Sequence, residues 1–157
     1  MVRFAEEKDL PRVNELRKQV SELHVNGRPD IFKPGFCQEL QERVYEMYRS
    51  EDSDVIVAER DGVIYGMAGV EYLNKQESPY SRERKIYYVT EFGVDTAFQR
   101  QGVGRELMAF MGEDARAKGF TRIELDMWTF NEGALQFYEA VGFRTFRRFM
   151  EWDLNEE

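Results

Sequence analysis

The 157 residues include one cysteine, Cys37, and one histidine, His24. A lone thiol rules out an internal disulfide and fits a reducing, cytoplasmic setting. The same scarcity argues against a zinc centre built from nitrogen and sulfur ligands, so no metal is expected. Long apolar runs are missing: nothing approaches the roughly 20 residues that cross a bilayer, and no membrane partner is expected. The opening Met1-Val2-Arg3-Phe4-Ala5-Glu6-Glu7 has no apolar signal core. Basic charge is in deficit, with 22 Lys and Arg against 30 Asp and Glu and a formal net charge of -8. That sign disfavours nucleic acid as a partner, since binders of phosphate backbones carry a basic footprint. The acidity either serves solubility alone or draws a cationic substrate by long-range attraction.

What is present points to a packed core. Hydrophobic residues make up 42% and aromatics 14% of the chain, well beyond what a disordered chain carries. The length suits one domain over residues 1–157. Val2 to Phe4 reads as a short strand. Asp9 stands as the N-cap of a helix through Val20, with Leu10, Val13, Leu16 and Val20 on one stripe. His24 to Gly35 holds Gly27, Pro29 and Pro34 and reads as loop. Phe36, Leu40, Val44 and Met47 recur at helical spacing.

The period then changes. Val55-Ile56-Val57-Ala58 is a β-rich run, Asp61-Gly62 a hairpin turn and Val63 to Leu73 the return strand. A polar loop spans Asn74 to Glu83, and Lys85 to Asp95 is a further strand. A helix opens at Gly102 and Gly104 and stops at Gly119; Ile123 to Met127 is a strand. Asn131 caps a short helix that ends before Gly142, and Phe143 to Leu154 reads as a last strand. Hairpins join the early strands and helices the later ones, which predicts an α/β protein with a mixed sheet and helices on both faces.

One segment carries a chemical signal: Val94-Asp95-Thr96-Ala97-Phe98-Gln99-Arg100-Gln101-Gly102-Val103-Gly104-Arg105. A strand enters a glycine-containing turn that starts a helix. The first helical amides have no internal partners, and the helix dipole adds positive potential there. Two glycines let an anion reach the backbone, and Arg100 and Arg105 add charge. A dinucleotide fingerprint would need a glycine where Leu107 stands; a nucleotide-triphosphate loop would need Lys-Ser/Thr where Arg105-Glu106 stands. The remaining pattern, Gln99-x-x-Gly102-x-Gly104, resembles the coenzyme A pyrophosphate loop of the GNAT acyltransferase superfamily. A second stretch resembles that superfamily's other signature, through Asn131, Ala134, Phe137, Tyr138, Gly142 and Phe143. The resemblance covers roughly Val55 to Leu154.

The resemblance implies a GNAT-like fold with a central, mostly antiparallel, splayed sheet. It implies an N-acetyltransferase that moves an acetyl group from acetyl-CoA to a primary amine by direct attack in a ternary complex. The diphosphate would be held by the loop residues Gln99, Arg100, Gln101, Gly102, Val103, Gly104 and Arg105. The pantetheine arm would lie along Phe92 and Val94, with Asn131, Phe137 and Tyr138 completing the coenzyme site. Tyr138 would protonate the departing thiolate, and Glu91, directly or through water, would take the amine's proton. Acceptor recognition would fall to the variable segments near Ser21–Phe36 and Asn74–Glu83. His24, Asp30, Phe32, Glu71, Tyr72 and Tyr80 are the candidates, and Asp126 is a further carboxylate near a strand end. The acceptor would be a small amine, an amino acid or a peptide amine. A non-catalytic acyl-CoA sensor is the alternative from another class. The last segment, with Phe146, Phe149, Met150 and Trp152, fits either a homodimer contact or core.

Overall fold

A computed structural model describes residues 1–156. The chain divides into two compact units, Met1–Asp126 and the remainder from Met127 onward. The first holds β1 (Val2–Phe4), α1 (Leu10–Gly27), α2 (Gln38–Arg49), β2 (Ser53–Arg60), β3 (Val63–Lys75), β4 (Arg84–Val94), α3 (Val103–Ala117) and β5 (Ile123–Glu124). The second holds α4 (Glu132–Ala140). No described helix is long and apolar enough to cross a membrane.

The sheet has five strands in the order β1-β2-β3-β4-β5. It is antiparallel up to β4, while β5 returns parallel after the α3 crossover. Helices cover both faces, as the alternation of strand and helix periods predicts. The α1–α2 face closes over Leu10, Val13, Leu16, Val44, Val55, Val57 and Met67, all almost fully buried. On the opposite face Val103, Leu107 and Met111 of α3 are buried. Spacing there is tight: a Cβ built on Gly66 would lie 2.8 Å from Val103 and 3.0 Å from Leu107.

Asp9 occupies the N-cap position of α1 as expected, yet its carboxylate serves other donors. It accepts from the Glu6 amide (2.8 Å) and from Arg3 (2.7 Å) instead of the helix's own first turn. α1 also runs past the expected loop start at His24. Nothing between Val20 and Gly27 breaks the helix, and Pro29 is the first residue that cannot continue it.

Two expectations about strands need correction. β5 is only Ile123–Glu124, shorter than Ile123 to Met127. From Val141 onward the described residues contain no strand, although Met150, Trp152 and Leu154 alternate with Glu151 and Asp153. A strand exists only where a neighbour completes its ladder, which alternation cannot guarantee. Phe149 and Trp152 are 83% and 86% exposed, so this segment is not core.

Candidate functional site

β4 organises the first unit's chemistry through a bulge. Gly69 pairs with Glu91 and Val70 with Val89, which leaves Thr90 as an extra residue on β4. Below the bulge Tyr87 points to the α3 face, where its hydroxyl donates to Asp114 of α3 (2.8 Å). Regular alternation would put Glu91 on that face too. The extra residue shifts the phase, so Glu91 and Gly93 face α1. There Glu91 meets Arg17, and a Cβ on Gly93 would lie 2.8 Å from Val20. The bulge is roofed by α2: a Cβ on Gly69 would sit 2.6 Å from Met47 Sδ and 2.8 Å from Thr90 Oγ1. Thr90 Oγ1 itself is buried without a hydrogen-bond partner among the described residues.

Glu91 is held from both sides of its carboxylate. Arg17 Nε donates to Oε2 (2.7 Å) and Nη2 to Oε1 (2.9 Å), a fork-to-fork ion pair. Arg17 is only 5% exposed at its side chain, and Glu91 29%. Sequence reading passed over Arg17, though a signal existed. It stands four residues after Val13 and three before Val20, inside the apolar stripe of α1. An arginine there requires a buried counter-charge.

Above Glu91, β4 loses its outer neighbour. β5 pairs only with Tyr87 and Tyr88. The Asp95 amide donates to the Tyr65 carbonyl (2.8 Å), so the backbone turns toward β3 at Asp95 and, by alternation, at Gly93. Val94 and Phe92 therefore direct their amides and carbonyls to the other edge, the one beyond the end of β5. Gln99 Nε2 approaches the Val94 carbonyl at 3.5 Å, the outer limit of a hydrogen bond.

Asp95 ends β4 and sets the loop that follows. Its carboxylate caps the 3-10 turn Thr96–Phe98 through the Ala97 amide (3.0 Å). It also accepts from Arg12 Nη2 (2.6 Å) and Gln19 Nε2 (3.4 Å) of α1. Burial alone would raise this carboxyl, but the Ala97 amide and the Arg12 guanidinium outweigh it and hold it below its ordinary value.

The loop then enters α3 through two left-handed residues, Arg100 (φ 64°) and Gly102 (φ 83°). Gly102 is the N-cap of α3 and supplies no side-chain cap; the first helical bond is Glu106 N–H to the Gly102 carbonyl (3.1 Å). Opening amides of a helix without a side-chain cap are a binding surface for an anionic oxygen. Arg60 at the end of β2, unnoticed in the sequence, donates to the Gln101 carbonyl (3.1 Å) and to Glu106 (2.8 Å). Arg100 on the loop and Arg105 in the first turn of α3 are exposed.

In the second unit Asn131 caps α4: its Oδ1 accepts from the Ala134 amide (3.1 Å). Gly142 (φ 113°) closes the helix, and the Phe143 amide donates to the Tyr138 carbonyl (2.9 Å). The Tyr138 ring lies edge-to-face with Phe137 (5.6 Å) and Phe143 (5.7 Å). Burial pushes its hydroxyl up to about 12.

The acceptor candidates of the first unit do not form one cluster. Glu71 follows Gly69 by two residues and so shares the face of Glu91. Tyr72 lies on the opposite face, donating to Asp54 and packed on Tyr87 and Phe120. Strand alternation therefore separates Tyr72 from Glu71. His24 stacks on Phe32 (5.2 Å), and burial lowers its imidazole below its ordinary value. Asp30 is forked by Arg28 (2.9 Å on each oxygen), and Tyr80 is 100% exposed. Tyr88, on the Glu71 face, donates to Asp126.

Open mixed sheet, bulged fourth strand and glycine-led helix start together define a GNAT-type fold. The profile of the acetyltransferase (GNAT) family matches residues 18–143, and the chain belongs to that family. It is 28% identical over 102 residues to the uncharacterized N-acetyltransferase YjgM of Escherichia coli, covering 65% of this chain and 58% of that protein. It is 32% identical over 95 residues to the N-alpha-acetyltransferase RimI of Mycobacterium tuberculosis, covering 60% and 54%. The chain thus spans about half the length of the curated relatives it matches. Among solved structures, a mutant of the BH1408 protein from Bacillus halodurans superposes with a TM-score of 0.94 at 28% identity, covering 98% of this chain and 99% of that one. The aminoglycoside acetyltransferase AAC(6')-Iy, in complex with a bisubstrate analog, shares the fold with a TM-score of 0.77 at 19% identity, covering 97% and 95%.

Proposed function

We propose that this chain is an N-acetyltransferase that transfers the acetyl group of acetyl-CoA to a primary amine by direct attack. The observation that carries this reading is the start of α3. Gly102 in the left-handed conformation offers opening amides with no side-chain cap, and the exposed Arg100 and Arg105 stand within three residues of it in the chain. These groups suit the diphosphate of coenzyme A. The turned-out backbone of Phe92 and Val94 suits the amides of its pantetheine arm. The thioester, when bound, supplies the activated acetyl group.

The chain's own residues divide the rest of the work. A lysine-like amine with a pKa of about 10.4 is almost wholly protonated at neutral pH and must lose a proton before it attacks. Glu91 receives that proton directly or through a water, or holds the ammonium in line until solvent takes it. Tyr138 donates a proton to the departing thiolate. Its raised hydroxyl stays protonated at neutral pH, as a general acid must be. The acceptor class is a small amine. This reading is supported by the acidic surplus of the chain, by Glu71 and Glu91 on one sheet face, and by aminoglycoside acetyltransferases with the same fold.

The test is thiol release from acetyl-CoA across a panel of 1,4-diaminobutane, lysine, the aminoglycoside sisomicin and a short peptide with a free amino terminus. Turnover with a non-peptide amine is expected. Tight coenzyme A binding in a thermal-shift experiment with no thiol release from any amine would make the chain a sensor and overturn the proposal.

A further inference from the structure

Arg17 joins three elements at one guanidinium. From α1 it forks onto Glu91 of β4 through Nε (2.7 Å) and Nη2 (2.9 Å). Through Nη1 it donates to Asn14 Oδ1 (2.8 Å) and to the Leu40 carbonyl in the first turn of α2 (2.7 Å). Its Cζ lies over the Phe36 ring at 5.3 Å. At 5% side-chain exposure the group is removed from water and its bonding is directional.

The two halves of this arrangement have different consequences. A carboxylate oxygen has two lone pairs, and the fork uses one on each oxygen of Glu91. The second lone pair of each oxygen stays in a fixed direction, and the carboxylate is 29% exposed. Glu91 is therefore presented as an oriented anion rather than a freely rotating one. The other edge of the guanidinium grips the Phe36–Leu40 turn. That turn ends the segment joining α1 to α2, where acceptor contacts are expected. A displacement of that turn must move Arg17 or break its bond to the Leu40 carbonyl, and either change is felt at Glu91.

We propose that Arg17 is a positioning residue that couples the seating of the Phe36–Leu40 turn to the direction in which Glu91 meets the acceptor amine. This rests on the reading of Glu91 as the group that faces the amine. A purely structural ion pair would hold the fold together without relating the turn to turnover.

Two measurements decide it. The first is hydrogen–deuterium exchange at the first bonded amides of α2, residues 41–44, whose leading bond is Gln41 N–H to the Cys37 carbonyl (3.1 Å). Glu91→Gln on β4 is expected to speed exchange there several-fold, and to add nothing in an Arg17→Lys background, because lysine cannot bridge both partners. Unchanged exchange in Glu91→Gln, or equal effects in both backgrounds, would overturn the coupling without any acceptor being known. The second is steady-state kinetics of Arg17→Lys with whichever panel amine turns over. A fall in kcat of about 10- to 100-fold is expected. The KM for acetyl-CoA should change by less than about twofold. A kcat kept at the parent value would overturn the positioning role. Absence of thiol release in the parent protein would instead defeat the functional reading, while the exchange result still decides the coupling.

Discussion

Arg12 of α1 reaches across the first unit to Asp95, the residue that ends β4, and the pair closes at 2.6 Å with the carboxylate 11% exposed. The same arginine donates to the Ile64 carbonyl of β3 at 3.1 Å. One guanidinium thus ties together the end of β4 and the start of the loop that leads into α3. With the Arg17–Glu91 pair, α1 carries two arginines that each hold a carboxylate near the end of β4.

Loss of that anchor should loosen the loop between β4 and α3, the proposed coenzyme site. Asp95→Asn keeps the shape but weakens three hydrogen bonds, and a cost of about 1–3 kcal/mol is expected. The KM for acetyl-CoA should rise more than kcat falls. The pH dependence has a definite sign. Asp95 titrates below its ordinary 3.8 when folded, so its contribution is present above that value and lost as pH falls below it. Chemical denaturation at pH 3 and pH 6 should therefore show a smaller difference for Asp95→Asn than for the parent chain. An equal difference would remove Asp95 from the acid response.

Gly102 is the position at which backbone freedom matters. Its φ of 83° costs a side-chain-bearing residue about 1–2 kcal/mol, and no atom lies within 4 Å of a Cβ built there. Gly102→Val should therefore destabilise modestly through the backbone alone. The new side chain would stand before the opening amides of α3. Isothermal titration should show coenzyme A affinity lowered by well over the stability effect, while an affinity equal to the parent's would place the diphosphate elsewhere.

Tyr138→Phe removes one oxygen and leaves the ring contacts with Phe137 and Phe143 in place. Coenzyme binding should persist and kcat should fall by about 100- to 10,000-fold if the hydroxyl is the general acid. Because burial holds that hydroxyl up at about 12, it remains protonated through pH 10. The kcat profile of the parent protein should accordingly show no loss of activity from this group between pH 7 and 10. A turnover in Tyr138→Phe matching the parent would take the tyrosine out of the mechanism.

Much of this was legible beforehand because it is local. The helix stripe of Leu10, Val13 and Leu16, the Asp61-Gly62 hairpin and the caps at Asn131 and Gly142 each depend on a few neighbouring residues. The loop from Gln99 to Arg105 was legible for the same reason: a glycine-led helix start is written in consecutive residues. Arg12, Arg17 and Arg60 were missed because their partners are 83, 74 and 46 residues away in the chain. The last segment was misread as a strand because alternation records a preference, whereas a ladder needs a partner strand.

The sequence by itself determined most of the element types, the glycine-led start of α3 and the family to which the chain belongs. Which face each residue of β4 presents was settled only in three dimensions. A single extra residue, Thr90, set opposite the Gly69–Val70 step turns Glu91 away from α3 and toward Arg17. Pairing register is a property of two strands at once, so the phase of β4 beyond the bulge became fixed only when β3, α1 and α2 had packed against it.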